Sequence, residues 1–181
     1  MTVRPLPAAD RLAVAWKNGG GTTREIVAEP PGADMADFLW RVSLADVGGD
    51  GPFSAFPGVD RTLTMVEGAG MDLVVGGEDR KVDERYVPQD FRGDVPTDCR
   101  LIDGPVVNFN VMWRRDAPGT PPRVAVVRGR LTLTGEALVV ALEDEGADVD
   151  GFTLGRYDAV RVSGEAAVLH ARGRTAVVTF G

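Results

Sequence analysis

Val106-Val107-Asn108-Phe109-Asn110-Val111-Met112-Trp113 alternates as a strand does. Val107, Phe109, Val111 and Trp113 share one face; Val106, Asn108, Asn110 and Met112 share the other. Asparagine is a poor strand residue, because its amide competes for backbone partners in turns. Two on one face of a β-rich segment break a local rule, as functional sites do. A solvated strand face is the competing reading, and the segment alone leaves the two balanced. Arginines supply the complementary chemistry. Arg24 follows Trp16-Lys17-Asn18-Gly19-Gly20-Gly21-Thr22-Thr23 and would begin a strand, able to grip a carboxylate. Arg61 closes Gly51-Pro52-Phe53-Ser54-Ala55-Phe56-Pro57-Gly58-Val59-Asp60. This segment reads either as a structured loop plugged by Phe53 and Phe56 or as a pocket wall with Arg61 at its base.

Other chemistries find less support. The glycine run at 19–21 has no Gly-Lys-Ser/Thr ending, so it is a flexible turn and not a phosphate loop. Ser54 is not in a nucleophile elbow. His170 is the sole histidine, which rules out a metal site built on paired histidines. Asp144, Glu145, Asp148 and Asp150 read as a solvated acidic turn. Cys99, the lone cysteine, reads as an inert thiol at the start of a buried strand. No metal, cofactor or catalytic residue is expected.

These residues need a β framework. Glycine and proline, 23 and 12 of 181 residues, separate short alternating segments. Strands are expected at Thr22–Val27, Phe38–Ala45, Arg61–Val66, Met71–Val75, Val124–Val127, Arg130–Thr134, Glu136–Leu142, Ala159–Val162, Ala166–Ala171 and Thr175–Phe180, with a hairpin turn at Gly76-Gly77-Glu78-Asp79. The first of these also fits a helix-capping box, Thr22 to Glu25, but Pro30-Pro31 favours the strand. Residues 61–113 and 136–180 repeat a strand, Gly-turn, strand, aromatic-turn pattern at low identity. Asp116 to Pro122 is a semi-rigid connector between them. The expectation is one all-β unit over 1–181, with an N-terminal lobe of about 1–115 and a C-terminal lobe of about 123–181.

Composition bounds the partners. Hydrophobic residues are 44% of the chain, enough for a real core, and the net charge is −7 with a pI near 4.7. An acidic chain with no basic run longer than Arg114-Arg115 is a poor nucleic-acid binder. The N-terminus reads without a signal peptide, and the longest apolar run, Ala137–Leu142, is too short to span a membrane. A lone cysteine fits a reducing cytoplasm.

Taken together, Trp-Lys-Asn-Gly-Gly-Gly-x-Thr-Arg-Glu-Ile at 16–26, Trp-Arg-Val-Ser-x-Ala at 40–45, Gly-Pro-Phe-Ser-x-Phe-Pro-Gly-Val-Asp-Arg at 51–61, Phe-Arg-Gly-Asp at 91–94 and Asp-Gly-Pro-Val-x-Asn-Phe-Asn-Val-Met at 103–112 resemble the HutD/Ves family. The match covers roughly the first two-thirds of the chain, in order. The resemblance implies an RmlC-like, bicupin-like double β-barrel (jelly roll) and a role in histidine utilisation. The resemblance also allows a stress-induced role; the first expectation is a non-enzymatic protein sensing a small carboxylate intermediate such as formylglutamate or urocanate, and the blandest an interaction module whose pocket is vestigial. Family members commonly carry Asp where this chain has Asn108, so one negative charge is missing. In the N-terminal barrel Arg61 and Arg41 would pair carboxylates, with Arg24 a further carboxylate grip. Asn108, Asn110 and Ser43 would give neutral hydrogen bonds, and Phe56 and Met112 would exclude water. The competing expectation is a metal-free isomerase or hydrolase using Glu25 or Asp60 as base, although either is as easily a salt-bridge partner of Arg24 or Arg61. A homodimer would cover the sheet edges.

Overall fold

The computed structural model describes residues 1–181. The chain is all-β, with one short 3-10 turn at Ala8–Asp10 and seventeen strands. They are β1 (Thr2–Leu6), β2 (Ala13–Ala15), β3 (Gly21–Glu29), β4 (Trp40–Val47), β5 (Gly51–Phe53), β6 (Val59–Glu67), β7 (Gly70–Val75), β8 (Glu78–Val82), β9 (Gln89–Arg92), β10 (Thr97–Ile102) and β11 (Val106–Arg114), followed by β12 (Arg123–Leu133), β13 (Glu136–Ala141), β14 (Ala147–Val149), β15 (Phe152–Leu154), β16 (Ala159–Ser163) and β17 (Ala167–Phe180). No helix is long and apolar enough to cross a membrane.

Two compact units divide the chain: Leu12–Ala117, and Pro118–Gly181 together with Met1–Arg11. The first eleven residues join the second unit because β1 pairs along β16, Thr2 opposite Ser163 through Leu6 opposite Ala159. Arg11 secures that segment by donating to the carbonyls of Tyr157 and Leu6 at 2.5 and 2.8 Å. This unit is one seven-stranded sheet over an aliphatic core that includes Val139, Val149, Leu154, Val160, Leu169 and Val177. Two of the sequence-derived boundaries dissolve here. Val124–Val127 and Arg130–Thr134 form one strand, β12, with a bulge between Val127 and Gly129. Ala166–Ala171 and Thr175–Phe180 also form one strand, β17, running through Gly173. A Cβ on Gly173 would meet Glu143 Cβ at 2.9 Å, so glycine marks a close approach there, not a turn.

Unit Leu12–Ala117 holds a six-stranded sheet, β2-β3-β4-β11-β6-β9, and a four-stranded one, β5-β10-β7-β8. Their facing side chains share one core. Val47, Leu63, Met65, Phe91 and Val106 come from the larger sheet, and Met71, Leu73, Val75, Val82 and Cys99 from the smaller. β3 is the strand that Pro30-Pro31 implied, with a bulge between Glu25 and Val27. Gly76 and Gly77, at φ +57 and +86, make the β7–β8 hairpin turn. Antiparallel pairing fixes the register: Arg41, Met112 and Arg61 form one row, Ser43, Asn110 and Leu63 the next, and Ala45, Asn108 and Met65 the third. Because Leu63 and Met65 lie in the shared core, all three rows face the inside of this unit.

Candidate functional site

The asparagine face is interior. Asn108 is 1% exposed, Asn110 4% and Ser43 3%, so the solvated-strand reading does not hold. Arg61, 8% exposed, sits among them. Its Nη2 donates to Asn110 Oδ1 at 3.0 Å. The guanidinium carbon lies 5.2 Å from the Phe53 ring centre and 5.1 Å from that of Phe91, so two aromatic rings stand within cation–π range. No carboxylate pairs with it, and its Nε has no hydrogen-bond partner. Burial pushes the Arg61 pKa down to about 10, which still leaves the group charged at neutral pH.

The amides are oriented by partners that act in one direction only. Asn108 Nδ2 lies 3.4 Å from the Met71 sulfur. A thioether accepts and never donates, so the nitrogen faces it and Oδ1 is left over. That oxygen is buried without a partner. Guanidinium only donates, so Asn110 turns its oxygen toward Arg61, while its Nδ2 makes a long 3.5 Å contact to the Asn108 carbonyl. The interior therefore presents an unpaired cation and an unfilled acceptor. Buried polar groups are normally satisfied, and exceptions call for an explanation.

The other arginines are occupied. Arg41 shares the Arg61 row, but its Nε donates to Glu25 at 2.7 Å. Arg24 lies opposite Leu44 in the register, hence on the other face of the sheet, and binds both oxygens of Asp46 at 2.9 Å. Phe56 and Met112 pack with Phe38 and Val59 in a satellite cluster. So the structure brings Ser43, Arg61, Asn108 and Asn110 together, sets Arg41 with Glu25 on the same face, places Phe56 and Met112 in the satellite cluster, and leaves Arg24 apart. Glu25 and Asp60 pair differently from the sequence expectation. Glu25 takes Arg41, its same-face neighbour, and Asp60 takes Arg115 at 2.6 Å.

Phe53 and Phe91 were not singled out as site residues by the sequence, yet they hold Arg61. The signal was there: each sits in a motif with its own arginine and glycine. In Phe91-Arg92-Gly93-Asp94, a Cβ on Gly93 would meet the Val59 carbonyl at 2.9 Å, so glycine lets β9 close against β6. Arg92 and Arg115 both donate to Asp94, and these bonds hold its carboxyl well below the usual carboxylate range. Arg115 also bonds Asp60, which precedes Arg61. In the 16–26 motif, Trp16 donates Nε1 to Thr23 at 2.8 Å and stands edge-on to Phe53 at 6.3 Å. A Cβ on Gly21 would clash with the Asp46 carbonyl and meet the Trp16 ring at 3.2 Å. The motif is an aromatic buttress. A groove of about 480 Å³ lies along Asp72, Val74, Asp79, Lys81, Asp98 and Arg100 of the smaller sheet. Asp72 there reaches Lys81 at 3.7 Å and Arg100 at 3.8 Å, so it is a solvated, self-compensated charged face.

Comparison with known proteins adds relatives to this geometry. The HutD family model matches residues 8–179. Protein Ves of Cronobacter sakazakii is 40% identical over 123 residues, 67% of this chain; the match spans 65% of that protein's own length. A 21.2 kDa protein in the hutC 3′ region of Pseudomonas putida is 32% identical over 183 residues, covering 96% of this chain and 94% of that protein. The structure of HutD from Pseudomonas fluorescens SBW25 (formate condition) superposes with a TM-score of 0.87 at 35% identity, covering 99% of this chain and 98% of that one. Fold likeness reaches further. The pirin YhhW of Escherichia coli, in complex with nickel(II), has a TM-score of 0.70 at 9% identity over 99% and 98% of the two chains. A cupin 2 conserved barrel domain protein of Leptotrichia buccalis has 0.59 at 11% over 93% and 92%. These two show a cupin-like fold and nothing about chemistry.

Proposed function

The chain belongs to the HutD family, and from that premise together with the unpaired Arg61 we propose a non-enzymatic protein that senses a small carboxylate metabolite to modulate histidine utilisation. The observation that carries this reading is a buried, charged guanidinium without a counter-ion. A cation taken out of water and left unpaired is expensive, and a ligand carboxylate would supply the missing interaction. Asn110 accepts from the guanidinium, Phe53 and Phe91 lie within cation–π range of it, and Ser43 and Asn108 line the rest. Formylglutamate and urocanate are the intermediates of histidine breakdown to test. The hutC-region relative supports the pathway. Glu25 and Asp60 are each occupied by an arginine, Arg41 and Arg115, which argues against either as a general base.

Calorimetric titration of the protein with formylglutamate, urocanate and glutamate tests the proposal. Binding of at least one, lost in Arg61→Met, is expected. Binding of none would sink it. The same reading takes each unit as one cupin-type barrel, giving a single bicupin-like protein, since each unit has its own apolar core. It works in the cytoplasm, and as a dimer that covers its sheet edges.

A further inference from the structure

Resting on the Arg61 reading above, we propose that Arg41 is a second carboxylate subsite of the same interior, and that Glu25 fills it until a dicarboxylate ligand displaces the glutamate. Three observations carry this: the placement of the two arginines, the unequal exposure of the ion pair, and the donors it leaves open.

Placement follows from the register. Ala28, Arg41, Met112, Arg61 and Phe91 stand in one row across β3, β4, β11, β6 and β9. Only β11 separates the two arginines, so at about 4.8 Å per strand their backbones lie roughly 10 Å apart, a gap that two arginine side chains can bridge. Glu25 lies opposite Ser43, one row away on the same face. The two guanidiniums of the row thus meet one resident carboxylate. A ligand with one carboxylate brings anions and cations level with Glu25 still in place. A ligand with two makes three carboxylates for two guanidiniums, and the surplus anion is repelled in a dehydrated interior.

Exposure decides which carboxylate leaves. The Glu25 side chain is 41% exposed and that of Arg41 14%. Released from the pair, Glu25 regains water at small cost, whereas Arg41 stays largely dehydrated and needs another anion. The pair is therefore exchangeable from the carboxylate side only.

The bonding is poised for that exchange. Arg41 Nε donates to Glu25 Oε2 at 2.7 Å, and neither terminal nitrogen of Arg41 hydrogen-bonds to the protein. Arg24, in contrast, reaches both oxygens of Asp46. Arg41 so keeps its terminal fork of N–H donors, the group that grips both oxygens of a carboxylate. While Glu25 holds Arg41, a dicarboxylate meets a site that is only partly competent, and its apparent affinity falls accordingly. Removing the glutamate charge should then tighten such a ligand. A purely structural ion pair predicts the reverse, because cutting it loosens the site.

Calorimetry on the full chain tests this with formylglutamate, which has two carboxylates, and urocanate, which has one. Glu25→Gln keeps the hydrogen-bonding shape and removes the charge. It should tighten formylglutamate at least about fivefold and leave urocanate within about twofold of wild type. Arg41→Met should weaken formylglutamate at least about tenfold, again with urocanate within about twofold; the glutamine variant stands by itself if the methionine variant does not fold. Unchanged or weaker formylglutamate binding by Glu25→Gln would overturn the displacement and leave the Arg61 reading intact. Wild type that binds urocanate but not formylglutamate would overturn the second subsite alone. Binding of neither would defeat the Arg61 reading, and this inference with it.

Discussion

Arg61→Met separates a ligand-binding arginine from a structural one. Burial lowers the Arg61 pKa from 12.5 to about 10. At about 1.4 kcal/mol per unit, keeping the guanidinium charged inside the fold costs on the order of 3 kcal/mol. The folded-state pKa lies below the unfolded one, so this cost is fully present below pH 10 and is relieved only as pH rises above it. Against the cost stand one hydrogen bond to Asn110 and contacts with two aromatic rings. Those contribute about 1.5–3 and 0.5–2 kcal/mol respectively. The two sides nearly cancel. Methionine occupies much of the arginine's volume beside Phe53 and Phe91 without a charge and relieves the desolvation, at the expense of an unsatisfied Asn110 oxygen. The unliganded variant should therefore unfold within about 1–2 kcal/mol of wild type. For a chain of 181 residues that is a shift of several degrees at most, since each kcal/mol moves the midpoint about 2–4 °C. Thermal unfolding with and without ligand reads both halves of the claim. Saturating ligand at a hundred times Kd stabilises wild type by about 2.7 kcal/mol and should leave the variant unmoved. A loss of more than about 10 °C without ligand would make Arg61 a structural keystone and refute the reasoning.

Asn110→Ala should weaken carboxylate binding by about 1–2 kcal/mol, less than loss of Arg61, as removal of one neutral hydrogen-bonding group, measured by the same titration. The Cys99 thiol, pushed up to about 11 by burial and then by the nearby Asp50 charge, should resist alkylation at pH 8 in the folded protein and react once unfolded; rapid native labelling would show the strand open. Asp94→Asn should destabilise at neutral pH, and because the folded-state pKa of Asp94 is depressed, the difference from wild type should vanish as pH falls below about 4 through that pKa; a gap that persists in acid would remove the Arg92 and Arg115 bonds as the cause. Residues 120–181 expressed without Met1–Arg11 should not fold, since β16 loses its pairing with β1; a soluble fragment with a sharp thermal transition would contradict this.

Much of the site was legible because it breaks rules. Paired asparagines in a strand and an arginine at the end of an aromatic loop are both costly, and both lie inside. The all-β class followed from alternation and from Gly and Pro punctuation. What the sequence did not reveal depends on register. Whether Arg24 and Arg41 share a face turns on the bulge between Glu25 and Val27, which local pattern does not show. The partners of Glu25 and Asp60 were misassigned for the same reason, since salt-bridge choice follows cross-strand neighbours and not sequence proximity. Phe53 and Phe91 looked like a plug and a turn because their common target, Arg61, is the register partner of Phe91 on the adjacent strand and lies in the opposite sheet from Phe53. Thr2–Leu6 pair with Ala159–Ser163, more than 150 positions later, a long-range contact that no local signal encodes.

A crystal structure of the complex with urocanate tests the central claim most directly. The carboxylate is expected between the two sheets of the Leu12–Ala117 unit, with an oxygen within about 3.2 Å of an Arg61 guanidinium nitrogen. A carboxylate bound on the charged groove along Asp72, Lys81 and Arg100, with Arg61 still lacking an anion, would contradict it.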